Sequence, residues 1–209
     1  MIRTCIINFS GTNTIRETYQ WIELATGRTP EVVDDVQSGS VYLPKGNNLY
    51  VLPGGFSYGD YLRPGALAAR TNILDQLKEY RIRHKCKVLG ICNGFQILIE
   101  TGMLPGALLP NKNGNFICDS VFCENGLWSG TLEIAHHSGR YHIDPESLPN
   151  ELIRYAPAHN HNGSDLDLAG IVSDDGLVIG MMPHPENATQ IWQDNQSGLA
   201  LFESIVKAI

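Results

Sequence analysis

Val88-Leu89-Gly90-Ile91-Cys92-Asn93-Gly94-Phe95-Gln96-Ile97-Leu98 holds the turn on which the reading of this chain depends. Its first half is a short apolar run of strand length that stops at a cysteine, and an apolar pattern of helical spacing starts straight after. Gly90-Ile91-Cys92-Asn93-Gly94 is the thiol form of the Gly-x-Ser-x-Gly nucleophile elbow, a tight strand-to-helix turn. The glycines there leave room for neighbouring backbone, and Cys92 projects from the carboxyl end of a strand at the amino end of a helix. A free thiol of pKa about 8.5 is only about 3% thiolate at pH 7. A helix N-terminus and a nearby imidazole both favour the anion. The competing reading is a buried cysteine that packs as a small hydrophobe.

Upstream of the elbow, residues 2–9 read as a first buried strand, followed by the loop Ser10-Gly11-Thr12-Asn13. Thr14-Ile15-Arg16-Glu17 has capping-box form. Ile15, Tyr19 and Ile22 fall on one face of a helix that Gly27 stops. Val32-Val33 is a weak strand, and Leu49-Tyr50-Val51-Leu52 a stronger one that ends in Pro53-Gly54-Gly55. Residues 65–80 read as a helix with Leu67, Ile73, Leu74 and Leu77 apolar, and the strand at 87–91 leads into an elbow helix at 93–101 closed by Gly102. This alternation predicts an α/β fold, a central and mostly parallel sheet flanked by helices. Downstream, residues 116–118, 131–135, 152–155, 170–173 and 177–181 read as short strands, some antiparallel, so a small antiparallel extension is expected in the second half. Asp174-Asp175-Gly176 is the turn between the last two. Residues 197–208 form a final amphipathic helix with Leu199, Phe202, Ile205 and Val206 inward. With no repeat, low-complexity tract or linker, residues 1–209 read as one domain.

A hydrophobic fraction of 43% over 209 residues supports a sizeable core. The formal net charge of −7 argues against a generic nucleic-acid binder, which carries a basic stripe. No run approaches a membrane-spanning length, and the apolar stretch in residues 1–9 is too short and interrupted for a signal peptide. Five cysteines, at 5, 86, 92, 118 and 123, are an odd number without metal-type spacing. They read as free thiols in a reducing, cytoplasmic compartment. Seven histidines include His136-His137, His142 and His159-Asn160-His161-Asn162, in no standard zinc spacing, so no metal site is expected.

A nucleophilic cysteine needs a base, and the base needs a group that orients it. Pro183-His184-Pro185-Glu186 follows an apolar strand, and its prolines stiffen the loop that carries the imidazole. Glu186 is placed to accept a proton from the ring and fix its tautomer. Taken alone, His184 also fits a surface histidine in a proline-rich turn. Acyl transfer further requires oxyanion donors. The N–H of Asn93, directly after the nucleophile, is one candidate, and the N–H of Gly55 is the other.

Cys92, His184 and Glu186, with the Pro-Gly-Gly loop, resemble a class I glutamine amidotransferase domain, a flavodoxin-like α/β fold. Residues Pro53 to Ala66, Cys92-Asn93-Gly94-Phe95-Gln96, Gly102-Met103-Leu104-Pro105-Gly106-Ala107-Leu108 and Gly180-Met181-Met182-Pro183-His184-Pro185-Glu186 narrow the match. They are similar, in order along nearly the whole chain, to the glutaminase subunits of phosphoribosylformylglycinamidine synthases. Phe9-Ser10-Gly11-Thr12-Asn13 matches that family's opening loop more loosely. The resemblance implies that Cys92 attacks the side-chain amide of L-glutamine, that His184 passes a proton to the leaving ammonia, and that Glu186 orients His184. It implies an oxyanion hole of Gly55 and Asn93, substrate contacts at Gln96 and His136, and no cofactor in this subunit. The ammonia would pass to a synthetase subunit that uses ATP and Mg to make formylglycinamidine ribonucleotide in purine synthesis, with a small bridging subunit between the two. Tyr58, Tyr61 and Leu62 are expected to help dock the synthetase.

One segment departs from the family pattern. Ala135-His136-His137-Ser138-Gly139-Arg140-Tyr141 has His137 and Ser138 where the family has glycine and glutamate, and residues 111–133 look shortened. Three other readings therefore stay open here: a glutaminase serving a different ATP-dependent synthetase, a cysteine hydrolase or peptidase, and a non-catalytic scaffold on the same fold.

Overall fold

A computed structural model describes residues 2–35, 42–189 and 195–206. In chain order its elements are β1 (Thr4–Asn8), α1 (Ile15–Thr26), β2 (Glu31–Asp34), β3 (Leu49–Leu52), α2 (Asn72–His84), β4 (Lys87–Ile91) and α3 (Asn93–Glu100). There follow β5 (Ala107–Leu109), β6 (Ile117–Glu124), β7 (Ser129–His136), β8 (Arg140–His142), β9 (Asn150–Tyr155), β10 (Leu168–Val172), β11 (Val178–Met181) and α4 (Ser197–Val206). Among the described residues the main sheet has the order β2-β1-β3-β4-β11-β10-β9-β6-β7, with a separate β5–β8 ribbon.

Pairing is parallel from β2 to β11 and antiparallel from there to β7. Every residue of β3, β4 and β11 is buried, as expected for apolar strands covered on both faces. β7 instead alternates buried positions with exposed or half-exposed ones, the pattern of a strand covered on one face. The connections β1–α1–β2 and β3–α2–β4 run in opposite directions across the sheet. Right-handed crossovers then set α1 and α2 on opposite faces. α4 lies beside α1, where Trp21 and Phe202 meet edge to face at 5.0 Å.

The strand order reverses between β1 and β3, and in such sheets the ligand crevice lies at the carboxyl ends of the strands there. The loops after β1 and β3 meet at that point through an isolated antiparallel bridge between Thr12 and Gly55. The carboxyl end of β4, next in order, carries Cys92.

The fold departs from the local sequence signals in several places. The 65–80 helix is broken: a short 3-10 turn at Ala68–Arg70 precedes α2, and Thr71 between them is extended, its carbonyl accepting the N–H groups of Leu74 and Asp75. The capping box at Thr14 does not form. The Thr14 hydroxyl bonds the backbone of Gly54 instead, accepting its N–H at 3.0 Å and donating to its carbonyl at 3.3 Å. β6 and β7 are eight residues each, longer than the expected pieces, because they pair with each other along their whole length. In α4, Leu201 joins Phe202 and Ile205 in the core, while the Val206 side chain and residues 207–208 lie outside the described part.

Candidate active site

Cys92 has φ 49° and ψ −104°, a strained backbone for a residue with a side chain. Such conformations persist only where the surroundings over-determine them. Here the N–H of Cys92 donates to Met181 O at 2.8 Å and its carbonyl accepts Gln96 N–H at 3.1 Å, so strand and helix pin both sides of the turn. The flanking glycines are sterically required. A Cβ on Gly94 would sit 1.9 Å from Leu52 O, and one on Gly90 would sit 2.5 Å from Gly94 O. The Cys92 thiol is 5% exposed and faces Ala135 O at 3.7 Å.

His184 enters from the loop after β11, fixed by its N–H donating to Glu133 O at 2.8 Å. Its Nδ1 lies 2.7 Å from Glu186 Oε1, with 4% and 0% of the two side chains exposed. A carboxylate only accepts, so Nδ1 carries the hydrogen. Nε2, across the ring, is buried without an aligned hydrogen bond, and the Cys92 thiol is its polar neighbour. Burial pushes the imidazole down, but the Glu186 carboxylate, with Cys92 adding to it, outweighs burial and holds His184 well above its ordinary pKa. The ring also shapes the opposite loop, since a Cβ on Gly54 would lie 2.6 Å from His184 Cε1. Behind the pair stands α4. Gly198 N–H donates to Ala188 O at 2.9 Å, a Cβ on Gly198 would lie 1.8 Å from Pro185 O, and the Trp21 indole donates to Gly198 O at 3.0 Å.

Cys92, His184 and Gly55 line one cavity of about 150 Å³, together with Asn13, Phe56 and Phe116. Among the described residues Gly55 N–H has no acceptor, for a reason of strand geometry. Phe56 N–H donates to Gly11 O at 2.9 Å and Asn13 N–H to Gly54 O at 3.3 Å, so Thr12 and Gly55 form a non-hydrogen-bonded pair. The N–H of such a residue points away from the partner strand. The N–H of Asn93 opens α3, where the first-turn donors have no intrahelical acceptor.

The Asn93 carboxamide is fully engaged. Its oxygen accepts Ser57 N–H at 3.1 Å, and its nitrogen donates to Asp60 Oδ1 at 3.2 Å and Gln96 Oε1 at 2.9 Å. Burial raises the Asp60 carboxyl to about 6, opposed by the Asn93 hydrogen bond. Gln96 then donates to Ser138 O at 2.8 Å. Gln96 and His136, both read as substrate contacts, are not among the residues lining the Cys92 cavity. His136 is 2% exposed and lies 3.0 Å from Asn111 Oδ1 through Nδ1. Asn111 Nδ2 donates to the carbonyls of Asn115 and His136, both at 2.8 Å, so its Oδ1 is the acceptor and His136 Nδ1 carries hydrogen. Among the described residues His136 Nε2 is buried without a partner. Burial, with the charge of His184 adding to it, lowers the His136 imidazole to about 4.

Sequence reasoning missed Thr14, Asn111 and Asp60. Of the expected docking residues, Tyr61 and Leu62 are 70% and 75% exposed, whereas Tyr58 packs against the core with its hydroxyl on Asp35. Among the described residues no group of His, Cys, Asp and Glu is placed to hold a metal ion, and no helix is long and apolar enough to cross a membrane.

The chain is similar to known proteins along its whole length. The model of the CobB/CobQ-like glutamine amidotransferase domain matches residues 1–154 and 140–204. The chain is 40% identical to the phosphoribosylformylglycinamidine synthase subunit PurQ of Rhodospirillum rubrum over the full length of both. It is 47% identical to that subunit of Prochlorococcus marinus over 75% of this chain and 77% of the relative. The structure of PurLQS from Thermotoga maritima superposes with a TM-score of 0.85 at 38% identity, covering 99% of this chain and 98% of the other. A glutamine amidotransferase from Thermotoga maritima, 17% identical with a TM-score of 0.61 over 99% of this chain and 98% of that one, shares the fold. The chain belongs to the CobB/CobQ-like glutamine amidotransferases and, within them, to the PurQ subunits.

Proposed function

We propose that this protein hydrolyses L-glutamine to glutamate and ammonia with Cys92 as nucleophile, His184 as acid and base, and Glu186 as the group that orients His184. The Cys92 proton passes to His184 Nε2 and Sγ attacks the side-chain carbonyl carbon. The carbonyl electrons move to oxygen, which the N–H groups of Gly55 and Asn93 stabilise. Collapse breaks the C–N bond as His184 returns its proton to nitrogen, and ammonia leaves. Water then attacks the γ-glutamyl thioester as His184 takes its proton, the C–S bond breaks as His184 gives that proton to the leaving Cys92 sulfur, and glutamate departs with the thiol regenerated. The observation that carries this reading is the buried 2.7 Å His184–Glu186 contact beside the Cys92 cavity. The small cavity favours a single amino acid over a peptide.

The ammonia goes to a synthetase subunit of the phosphoribosylformylglycinamidine synthase type, for purine biosynthesis in the cytoplasm, with a small bridging subunit completing the complex. Kinship with the PurQ subunits, and with the chain in the Thermotoga maritima PurLQS structure, supports that assembly. This subunit needs no cofactor, and ATP and Mg act in the synthetase. Exposed Tyr61 and Leu62 belong to the docking face.

The test is glutamate release by wild type and Cys92→Ala, alone and with a formylglycinamidine synthase large subunit. Cysteine-dependent release that rises with the partner is expected. No release in either condition, with Cys92 still open to alkylation, overturns the proposal.

A further inference from the structure

We infer that the Asn93 side chain is a positioning group: it latches the 57–60 loop onto the elbow and so keeps the Gly55 and Asn93 N–H groups in a single oxyanion site. The inference rests on the glutaminase reading above.

Within the segment from Gly55 to Leu62, Gly59 N–H donates to Phe56 O at 2.8 Å and Tyr61 N–H to Tyr58 O at 3.4 Å, two bonds that leave its strained positions to be fixed from outside. Tyr58, Asp60 and Leu62 have φ of 52°, 54° and 71°, a left-handed backbone unfavourable for residues with side chains. A run of such residues stays in place only if external contacts fix it. Beyond the Phe56 N–H bond to Gly11 O at 2.9 Å, which pairs Gly55 with Thr12, three further groups of contacts do so. Tyr58 is tied to the β1 end through its N–H to Ser10 O at 2.6 Å and its hydroxyl to Asp35. Arg63 grips Glu100, on α3, with two bonds of 2.6 Å each. Between them, Asn93 binds Ser57 N–H and the Asp60 carboxylate at once.

Of the three, the Asn93 tie is the one built on the nucleophile's own neighbour. Gly55 lies two residues before Ser57, and Asn93 follows Cys92 directly. The same residue that presents one oxyanion donor therefore holds the loop that presents the other. The carboxamide suits this position because it must accept from Ser57 and donate to Asp60 and Gln96. A carboxylate has no hydrogen to donate, and leucine offers neither function. Through Gln96 the tie continues to Ser138 O, so the loops after β3, β4 and β7 share one hydrogen-bonded path.

The experiment uses the protein in complex with its synthetase at pH 7.5. Asn93→Asp faces the Asp60 carboxylate with a second one. Glutaminase kcat is expected to fall about 100-fold, the loss seen when one oxyanion donor is removed. KM and the alkylation rate of Cys92 stay near wild type. Adding Asp60→Asn to that variant restores a donor opposite an acceptor, and kcat recovers at least about tenfold, a gain that a general loss of folding would not show. Wild-type kcat in Asn93→Asp, or no recovery in the double variant, overturns the latch. Amide exchange read over residues 55–61 supplies an arm independent of glutamine. Exchange accelerates in Asn93→Asp and slows again in the double variant, and unchanged exchange overturns the latch. A wild-type complex that released no glutamate would instead sink the glutaminase reading, while exchange still judged the latch.

Discussion

Glu186 accepts the Nδ1–H of His184 at 2.7 Å in a place where neither side chain keeps more than 4% exposure. The carboxylate outweighs burial and favours the imidazolium. In Glu186→Gln that charge is gone while burial remains, so the His184 pKa drops. The imidazolium that stabilises the thiolate is then scarce at neutral pH. Glutamate release is expected to fall between about 100- and 10,000-fold, as for other triads deprived of the carboxylate. Iodoacetamide alkylation of Cys92 at pH 7 should slow in parallel. Alkylation at the wild-type rate would show that Glu186 does not act through the ring.

His136 gives a pH dependence of stability with a definite sign. Its folded pKa, about 4, lies below the ordinary value of 6.5. The unfolded chain therefore binds a proton first. The stability this histidine contributes is complete above pH 6.5 and is lost as pH falls toward 4. The full loss is about 3 kcal/mol for a shift of that size. Urea midpoints taken from pH 7 to pH 4.5 should fall more steeply for wild type than for His136→Gln. Equal slopes would mean that His136 binds its proton alike in the folded and unfolded chain.

Gly94→Ala sets helix propensity against steric overlap. Alanine favours a helix interior by about 1 kcal/mol over glycine, yet its Cβ would lie 1.9 Å from Leu52 O. Overpacking of this kind costs about 1–3 kcal/mol or more, so a net loss of stability is expected in urea unfolding. A gain would mean that β3 moves away easily.

Thr14→Val keeps the shape of the side chain and removes the hydroxyl that bridges Gly54 N–H and C=O. Loss of about 1–2 kcal/mol in stability is expected. Glutaminase kcat should drop more than KM rises, because Gly54 borders His184 and Gly55 is its neighbour. Thr14→Ser should behave as wild type in both assays.

The elbow was readable because several local signals coincide there. An apolar run ends, glycines fall two residues either side of Cys92, and a helical pattern begins, so β4 and α3 lie within a residue of their expected bounds. The Pro-His-Pro-Glu loop was less legible: taken alone it also fits a surface turn, and its proximity to Cys92 comes from β11 lying beside β4, a pairing that no local pattern announces. Thr14, Asn111 and Asp60 left no such trace. Each acts through one polar side chain that reaches another loop, and hydrogen bonds of this kind have no period in the sequence. The break at Thr71 was hidden for a related reason: apolar spacing continues across it, and only backbone geometry separates the 3-10 turn from α2. β5 and β8, three residues each, are too short for alternation to register.

The packing of α4 against the Pro185–Ala188 turn bears on when the protein becomes active during its synthesis. His184 and Glu186 leave the ribosome before Ser197 to Val206, so the proposed acid–base pair exists as sequence before its buttress does. The Gly198 contacts with Ala188 and Pro185, and the Trp21 bond to Gly198, form only once α4 has joined a sheet whose first strand was made long before. A nascent chain that carries the proposed nucleophile and base but not yet this helix is therefore expected to release no glutamate.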